Sequence, residues 1–185
     1  MIELKNLSVS FGGEPVISNL NADFDVGINA LCGASGIGKT TLLRAIAGLQ
    51  KFEGEIIGIH NKKISFAFQD YRLFDSLSAK ANIELCKSQN IDIQKLLADL
   101  QIQDFADKKP NELSGGMQAR VSLGRALGND ADIVLLDEPF SALDLGLKKA
   151  IAKSITPYLM GKTVIIVTHN QEDLELLKPD KIIEI

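Results

Sequence analysis

The chain has 185 residues, 45% of them apolar, enough for a real core in one domain or two small ones. Its formal net charge of −4 argues against a nucleic-acid-coating surface, and its 2 cysteines, Cys32 and Cys86, suit neither a zinc site nor a disulfide scaffold. Met1 to Lys5 lack a signal-peptide layout and no apolar run approaches a membrane span, so a cytoplasmic protein is expected, with any membrane role supplied by a partner.

Strand patterns come first, over Ile2 to Phe11 and Leu20 to Leu31. A glycine-rich stretch leads into a helical pattern (Thr41, Leu42, Leu43, Ala45, Ile46, Ala47) that ends near Gly48. Glu55 to Ile59 and Lys63 to Phe68 read as a second pair of strands. From Asp70 the pattern turns helical, through Ala81 to Cys86 and Ile93 to Leu100, until Lys108-Lys109-Pro110 breaks it. The remainder alternates: strand Ile133 to Leu136, helix Leu147 to Leu159, strand Val164 to Thr168. No internal repeat or low-complexity segment is evident.

Two segments carry chemistry. Gly33-Ala34-Ser35-Gly36-Ile37-Gly38-Lys39-Thr40 fits the P-loop pattern, between the apolar segment Val26 to Cys32 and the helix that includes Thr41. Its glycines let successive backbone N–H groups turn around a polyphosphate, while the helix that follows points its positive end at the same charge. Lys39 would reach the β- and γ-phosphates, and the Thr40 hydroxyl would ligate the Mg²⁺ that bridges them. A glycine-rich strand-to-helix turn that binds nothing would need neither the lysine nor the hydroxyl. In the second segment, the apolar run Ile133 to Leu136 suits a parallel strand buried on both faces, and it ends in Asp137 and Glu138. Ligands bind at such carboxyl ends in open α/β sheets. Asp137 would hold Mg²⁺ as the Walker-B acid, and Glu138 would orient or deprotonate the attacking water.

Beside these, Leu113-Ser114-Gly115-Gly116-Met117-Gln118 resembles the signature motif of the ABC-type ATPases and precedes the Walker-B strand, as it does in that family. Gln69 resembles the Q-loop, Ser141-Ala142-Leu143-Asp144 the D-loop, and His169 the switch histidine. Phe11 stands where the family usually has a tyrosine that stacks on adenine, although an aromatic there would equally serve a core, and Val16 would complete the base contact. The resemblance covers nearly the whole chain, with every motif in order. It implies an α/β fold: a P-loop NTPase core (RecA-like mixed sheet) with an antiparallel β subdomain and a helical ABC-specific subdomain. The chain would form one ABC ATPase domain, its nucleotide-binding core over 1–69 and 130–185 and its helical part over 70–129.

The resemblance also implies a mechanism. Ser114, Gly115 and Gly116, at the start of a helix, would cap the γ-phosphate of ATP held by another subunit, with Asp144 at the seam. The active unit would be a head-to-tail homodimer, or a pair with a second ATPase subunit. Gln69 would sense Mg²⁺ and the attacking water, and His169 would contact the γ-phosphate. Gln69 to Phe74 would meet a membrane permease subunit, with a solute-binding protein in the complex and no nucleic acid. The Gly-Gly-Met form of the signature, with Phe105-Ala106-Asp107 upstream, is similar to importers of the nitrate, sulfonate and taurine group. The rival readings fit less well. Chromosome-type members carry a long coiled coil where this chain has only the compact stretch Asp70 to Leu113. Ribosome-associated members usually carry two such domains, and a P-loop kinase would need neither the signature nor His169. The stretch after His169 looks short, with the usual closing helices missing or reduced.

Overall fold

The structure, a computed structural model, describes residues 1–12 and 14–185. Five strands form a parallel sheet: β3 (Gly27–Cys32), β5 (Ile64–Ala67), β6 (Ile133–Asp137), β7 (Thr163–Val167) and β8 (Lys181–Glu184), in the spatial order β5-β6-β7-β3-β8. Three more, β1 (Ile2–Phe11), β2 (Glu14–Phe24) and β4 (Glu53–Ile57), form an antiparallel sheet in the order β2-β1-β4. The α-helices are α1 (Lys39–Ile46), α2 (Ala79–Glu84), α3 (Ile93–Asp99), α4 (Gly115–Leu127), α5 (Leu145–Leu159) and α6 (Gln171–Leu177). Among the described residues, no helix is long and apolar enough to cross a membrane.

The parallel sheet sits between two hydrophobic cores, and the two-residue period of its strands decides which side chain enters which. Val134 and Leu136 of β6, with Val164 and Ile166 of β7, join residues of α2 to α5 on one face. Ile133 and Leu135, with Ile165 and Val167, join α1 and the antiparallel sheet on the other. All five residues of β6 and all five of β7 are buried, which is why these strands are continuous apolar runs. Leu42, Leu43 and Ile46 of α1 are fully buried under β1, each contributing about 1.5–3 kcal/mol of burial free energy.

The structure departs from the sequence-based expectations in two places. The apolar stretch Leu20 to Leu31 is not one strand: it breaks after Phe24, and β2 and β3 lie in different sheets. Likewise, the second pair of strands is split between the sheets, since β4 pairs with β1 while β5 pairs in parallel with β6. After His169 the chain builds one short helix, α6, and then β8, which completes the sheet beside β3. The core sheet's strand pairs are all parallel, and the antiparallel pairing is confined to the smaller sheet.

Candidate nucleotide site

Because β6, β7 and β3 are neighbours, their carboxyl ends bring three segments together: Asp137-Glu138, Thr168-His169 and the P-loop after Cys32. Helix α1 starts at this edge, and its amino end differs from those of the other helices. Helices α2 to α6 are each capped by a side chain, namely Ser78, Asp92, Ser114, Asp144 and Asn170. Helix α1 has no side-chain cap and no acidic residue in its first turn. Its N–H groups and the positive end of its dipole therefore remain for an external anion. Gly38, at its N-cap, has φ 110, a conformation that favours glycine, and a Cβ there would press to 3.0 Å against Val16 and Ile17 side-chain atoms.

A cleft of about 260 Å³ opens over this helix end. It is lined by Val16, by Ser35, Gly36, Gly38, Lys39, Thr40 and Thr41 of the P-loop and α1, and by Gln69 and Glu138. The sequence analysis singled out all of these; Val167, which also lines the cleft, it missed. Val167 looks like any other residue of an apolar strand, and only its place at the end of β7 marks it. Lys39 is buried, and its ammonium donates to the carbonyls of Gly33 (2.8 Å) and Ala34 (2.7 Å), bracing the loop. An ammonium has three N–H donors, so one is left over for a ligand. Ile37 stands exposed at the loop tip, and Phe11 is 47% exposed at the end of β1, outside the core and outside the lining of this cleft.

Asp137 is 2% exposed, and its Oδ1 has no hydrogen-bond partner. Burial pushes its carboxyl above the usual range, aided by the charges of Glu138 and Asp70, while Thr40 and Arg44 pull it down. A buried carboxylate oxygen without a partner, next to a threonine hydroxyl, is a suitable donor set for a hard divalent cation. Among the described residues no cluster of three or more acidic, histidine or cysteine side chains could hold a metal alone, so an ion here would complete its shell from phosphate and water.

Glu138 adopts the left-handed conformation, φ 48, at a cost of about 1–3 kcal/mol for a residue with a side chain. Its N–H donates to the Val167 carbonyl (3.0 Å), and its own carbonyl accepts from the Ser141 hydroxyl (3.0 Å). This twist brings Glu138 Oε1 to 3.0 Å from Nδ1 of His169. The carboxylate, the imidazole and the P-loop therefore meet at one sheet edge.

Ser114, Gly115, Gly116 and Asp144 do not line this cleft. Ser114 caps α4 by accepting from the Met117 N–H, and Asp144 caps α5 by accepting from the Leu147 N–H. These two helix starts touch, since a Cβ on Gly116 would come within 2.9 Å of the Ala142 carbonyl oxygen. Ser114, Gly115 and Asp144 are exposed, and a Cβ on Gly115 would meet nothing within 4 Å. The buried Arg120 guanidinium fastens the start of α4, donating to the carbonyls of Gly116, Leu100 and Gln101. After Gln69, Tyr71 and Arg72 both have positive φ (55 and 47), and Arg125 donates to both of their carbonyls. The sequence analysis did not single out Arg125, because its partners lie more than fifty positions away.

The ABC transporter family model matches residues 18–141. A probable sulfate/thiosulfate import ATP-binding protein of Chlorella vulgaris is 34% identical over 100% of this chain and 90% of its own length. The Fe(3+) ions import ATP-binding protein of Fusobacterium nucleatum is 35% identical over 93% of this chain, and the sulfate/thiosulfate import ATP-binding protein of Escherichia coli K12 is 36% identical over 93%. The chain spans about half the length of those two bacterial proteins, 52% and 54%. The dimeric structure of MJ0796, a bacterial ABC transporter cassette, superposes with a TM-score of 0.85 at 31% identity over 100% of this chain and 94% of that one. A post-hydrolysis state of the same cassette, bound to ADP and Pi, gives 0.84. The chain belongs to the ABC transporter family, as one of its ATP-binding, ATP-hydrolysing domains.

Proposed function

We propose that this chain powers solute import by closing as a head-to-tail pair around two ATP molecules, coupled to a membrane permease with which a solute-binding protein works. One observation carries the reading. The anion-seeking end of α1 and the exposed start of α4 lie on one chain but line no common cleft, so they complete one site only if a second copy, or a paired ATPase subunit, supplies Ser114 to Gly116. The close approach of Gly116 to Ala142 supports a position for Asp144 beside that seam. The relatives named above are import ATP-binding proteins, which supports the direction of transport. The nitrate, sulfonate and taurine group is not among them, and sulfate and iron are what those proteins' names give.

The geometry of the cleft supports the following assignment of roles. Gly33 to Thr41 and Lys39 hold the phosphates, with Val16 and Phe11 toward the base. Thr40, Asp137 and Gln69 would hold Mg²⁺, which would offset charge across the β- and γ-phosphate oxygens. Glu138 orients the attacking water and accepts its proton, while His169 steadies Glu138 and meets the γ-phosphate. Such catalysis is chiefly positioning and charge stabilisation. The permease contact lies along Gln69 to Phe74. There the Phe66 and Phe68 rings stack at 4.0 Å, Arg72 covers Phe68, and Phe74 is 54% exposed beside an apolar groove of about 300 Å³. Through that contact the domain would sit on the cytoplasmic face of the membrane.

ATP turnover in Glu138→Gln tests the catalytic assignment. Binding should persist while turnover falls by about 10²-fold or more. Substantial residual hydrolysis would remove Glu138 from the role.

A further inference from the structure

A buried ion pair outside the cleft ties the first turn of α5 to the segment that carries His169. The Lys148 and Asp173 side chains are 6% and 4% exposed, and Lys148 Nζ donates to Asp173 Oδ1 at 2.9 Å. The second carboxylate oxygen is also engaged, since the Thr168 hydroxyl donates to Asp173 Oδ2 at 2.8 Å. That same hydroxyl accepts from the backbone N–H of Asn170 at 3.1 Å. The residues on both sides of His169 are thus pinned to one oxygen, which is itself pinned to the ion pair. At the other end, the Lys148 N–H bonds the Asp144 carbonyl, so the pair stands one helical turn from the Asp144 cap.

This arrangement is costly if its only task is to join α5 to α6. Burying two charges is offset only when geometry and additional hydrogen bonds are good, and apolar side chains would join the helices at less cost. His169, by contrast, needs outside support. Its side chain is 65% exposed, so packing does little to fix the ring that lies 3.0 Å from Glu138. Thr168, His169, Lys148 and Asp173 also line one cavity of about 180 Å³ together with Glu138 and Ser141.

We propose that Lys148, Asp173 and Thr168 are positioning residues that set His169 against Glu138 and link that setting to the turn capped by Asp144. The proposal rests on the roles proposed above for Glu138 and His169. Preorganisation of this kind matters because a misplacement of about 1 Å costs up to about 10²-fold in rate.

Thr168→Val tests it most cleanly, since it cuts the link to His169 while leaving the ion pair in place. Turnover should fall about tenfold or more with ATP affinity unchanged. Thr168→Ser, which restores the hydroxyl, should recover it. Because the chain has only 2 histidines, the His169 ring resonances can be followed directly by NMR, and they should move in Thr168→Val and return in Thr168→Ser. In a His169→Ala background Thr168→Val should cost nothing further, as expected when one residue acts through the other. Thr168→Ala, which also removes the hydroxyl and leaves the ion pair in place, should reproduce the same pattern if Thr168→Val is poorly folded. Unchanged turnover in Thr168→Val alongside an impaired His169→Ala overturns this proposal and leaves the catalytic roles standing, as do fully additive losses. Full turnover in His169→Ala overturns the role of His169, and this proposal with it.

Discussion

Replacing Asp137 by Asn removes a negative charge from a side chain that is 2% exposed and whose Oδ1 has no hydrogen-bond partner. A buried polar group left unsatisfied costs about 1–3 kcal/mol, and more when charged. Asparagine has the same shape without the charge, but its amide is still left short of hydrogen-bond partners. Only part of the penalty is recovered, about 1 kcal/mol, or about 2–4 °C in Tm for a domain of this size. The pH dependence has a definite sign. Burial, with Glu138 and Asp70, raises the Asp137 carboxyl in the folded state. The folded protein therefore loses stability as pH rises from the unfolded-state value of about 3.9 through the raised value. The advantage of the variant should be small near the acid end of that window and complete above it. Differential scanning calorimetry without nucleotide, at pH 4 and pH 7.5, should show Asp137→Asn gaining on the wild type as pH increases. With ATP, added Mg²⁺ should raise the Tm of the wild type but give the variant little further increment. A variant less stable than wild type at pH 7.5, or one that keeps the full Mg²⁺ increment, would refute the assignment of this carboxylate as a buried cation ligand.

Gly115→Ala should leave the isolated chain as stable as the wild type or slightly more so, since a Cβ there meets nothing within 4 Å and alanine favours a helix by up to about 1 kcal/mol. It should nevertheless weaken ATP-dependent pairing, which light scattering would detect; intact pairing would mean that this surface faces no partner. At the contact between α3 and α5, the Tyr158 hydroxyl donates to Asp99, which is also bonded by Lys95. Burial pushes the Asp99 carboxyl up, but the hydrogen bonds from Lys95 and Tyr158 outweigh it and hold the carboxyl below its usual range. The stabilisation is then present above about pH 3.9 and lost as pH falls through the lower folded-state value. Tyr158→Phe should cost about 1 kcal/mol in denaturant titrations at pH 7 and less at pH 3; an equal cost at both would contradict this account.

The candidate site was legible in the sequence wherever chemistry is local. Gly33 to Thr40 and Ile133 to Glu138 are contiguous segments whose residue types already state their geometry. What pairs at a distance was not legible. Glu53–Ile57 and Ile64–Ala67 lie close in sequence and read as a pair of strands, yet β5 is placed by the apolar edge of β6, far along the chain. Helix α6 is short and polar on most of its surface, and β8 is only four residues long, so neither carries a periodic signal. The pairing of β8 with β3 makes it a strand. Lys148 and Asp173 read as ordinary surface charges until the fold brings them together in the interior.

The most direct test of the head-to-tail account is the molar mass of Glu138→Gln in solution, with and without Mg-ATP. The account predicts a monomer without nucleotide and a dimer with it, because slowed hydrolysis should trap the closed pair and Ser114 to Gly116 should complete the partner's site. A monomer under both conditions, with ATP binding measured in the same sample, would contradict it.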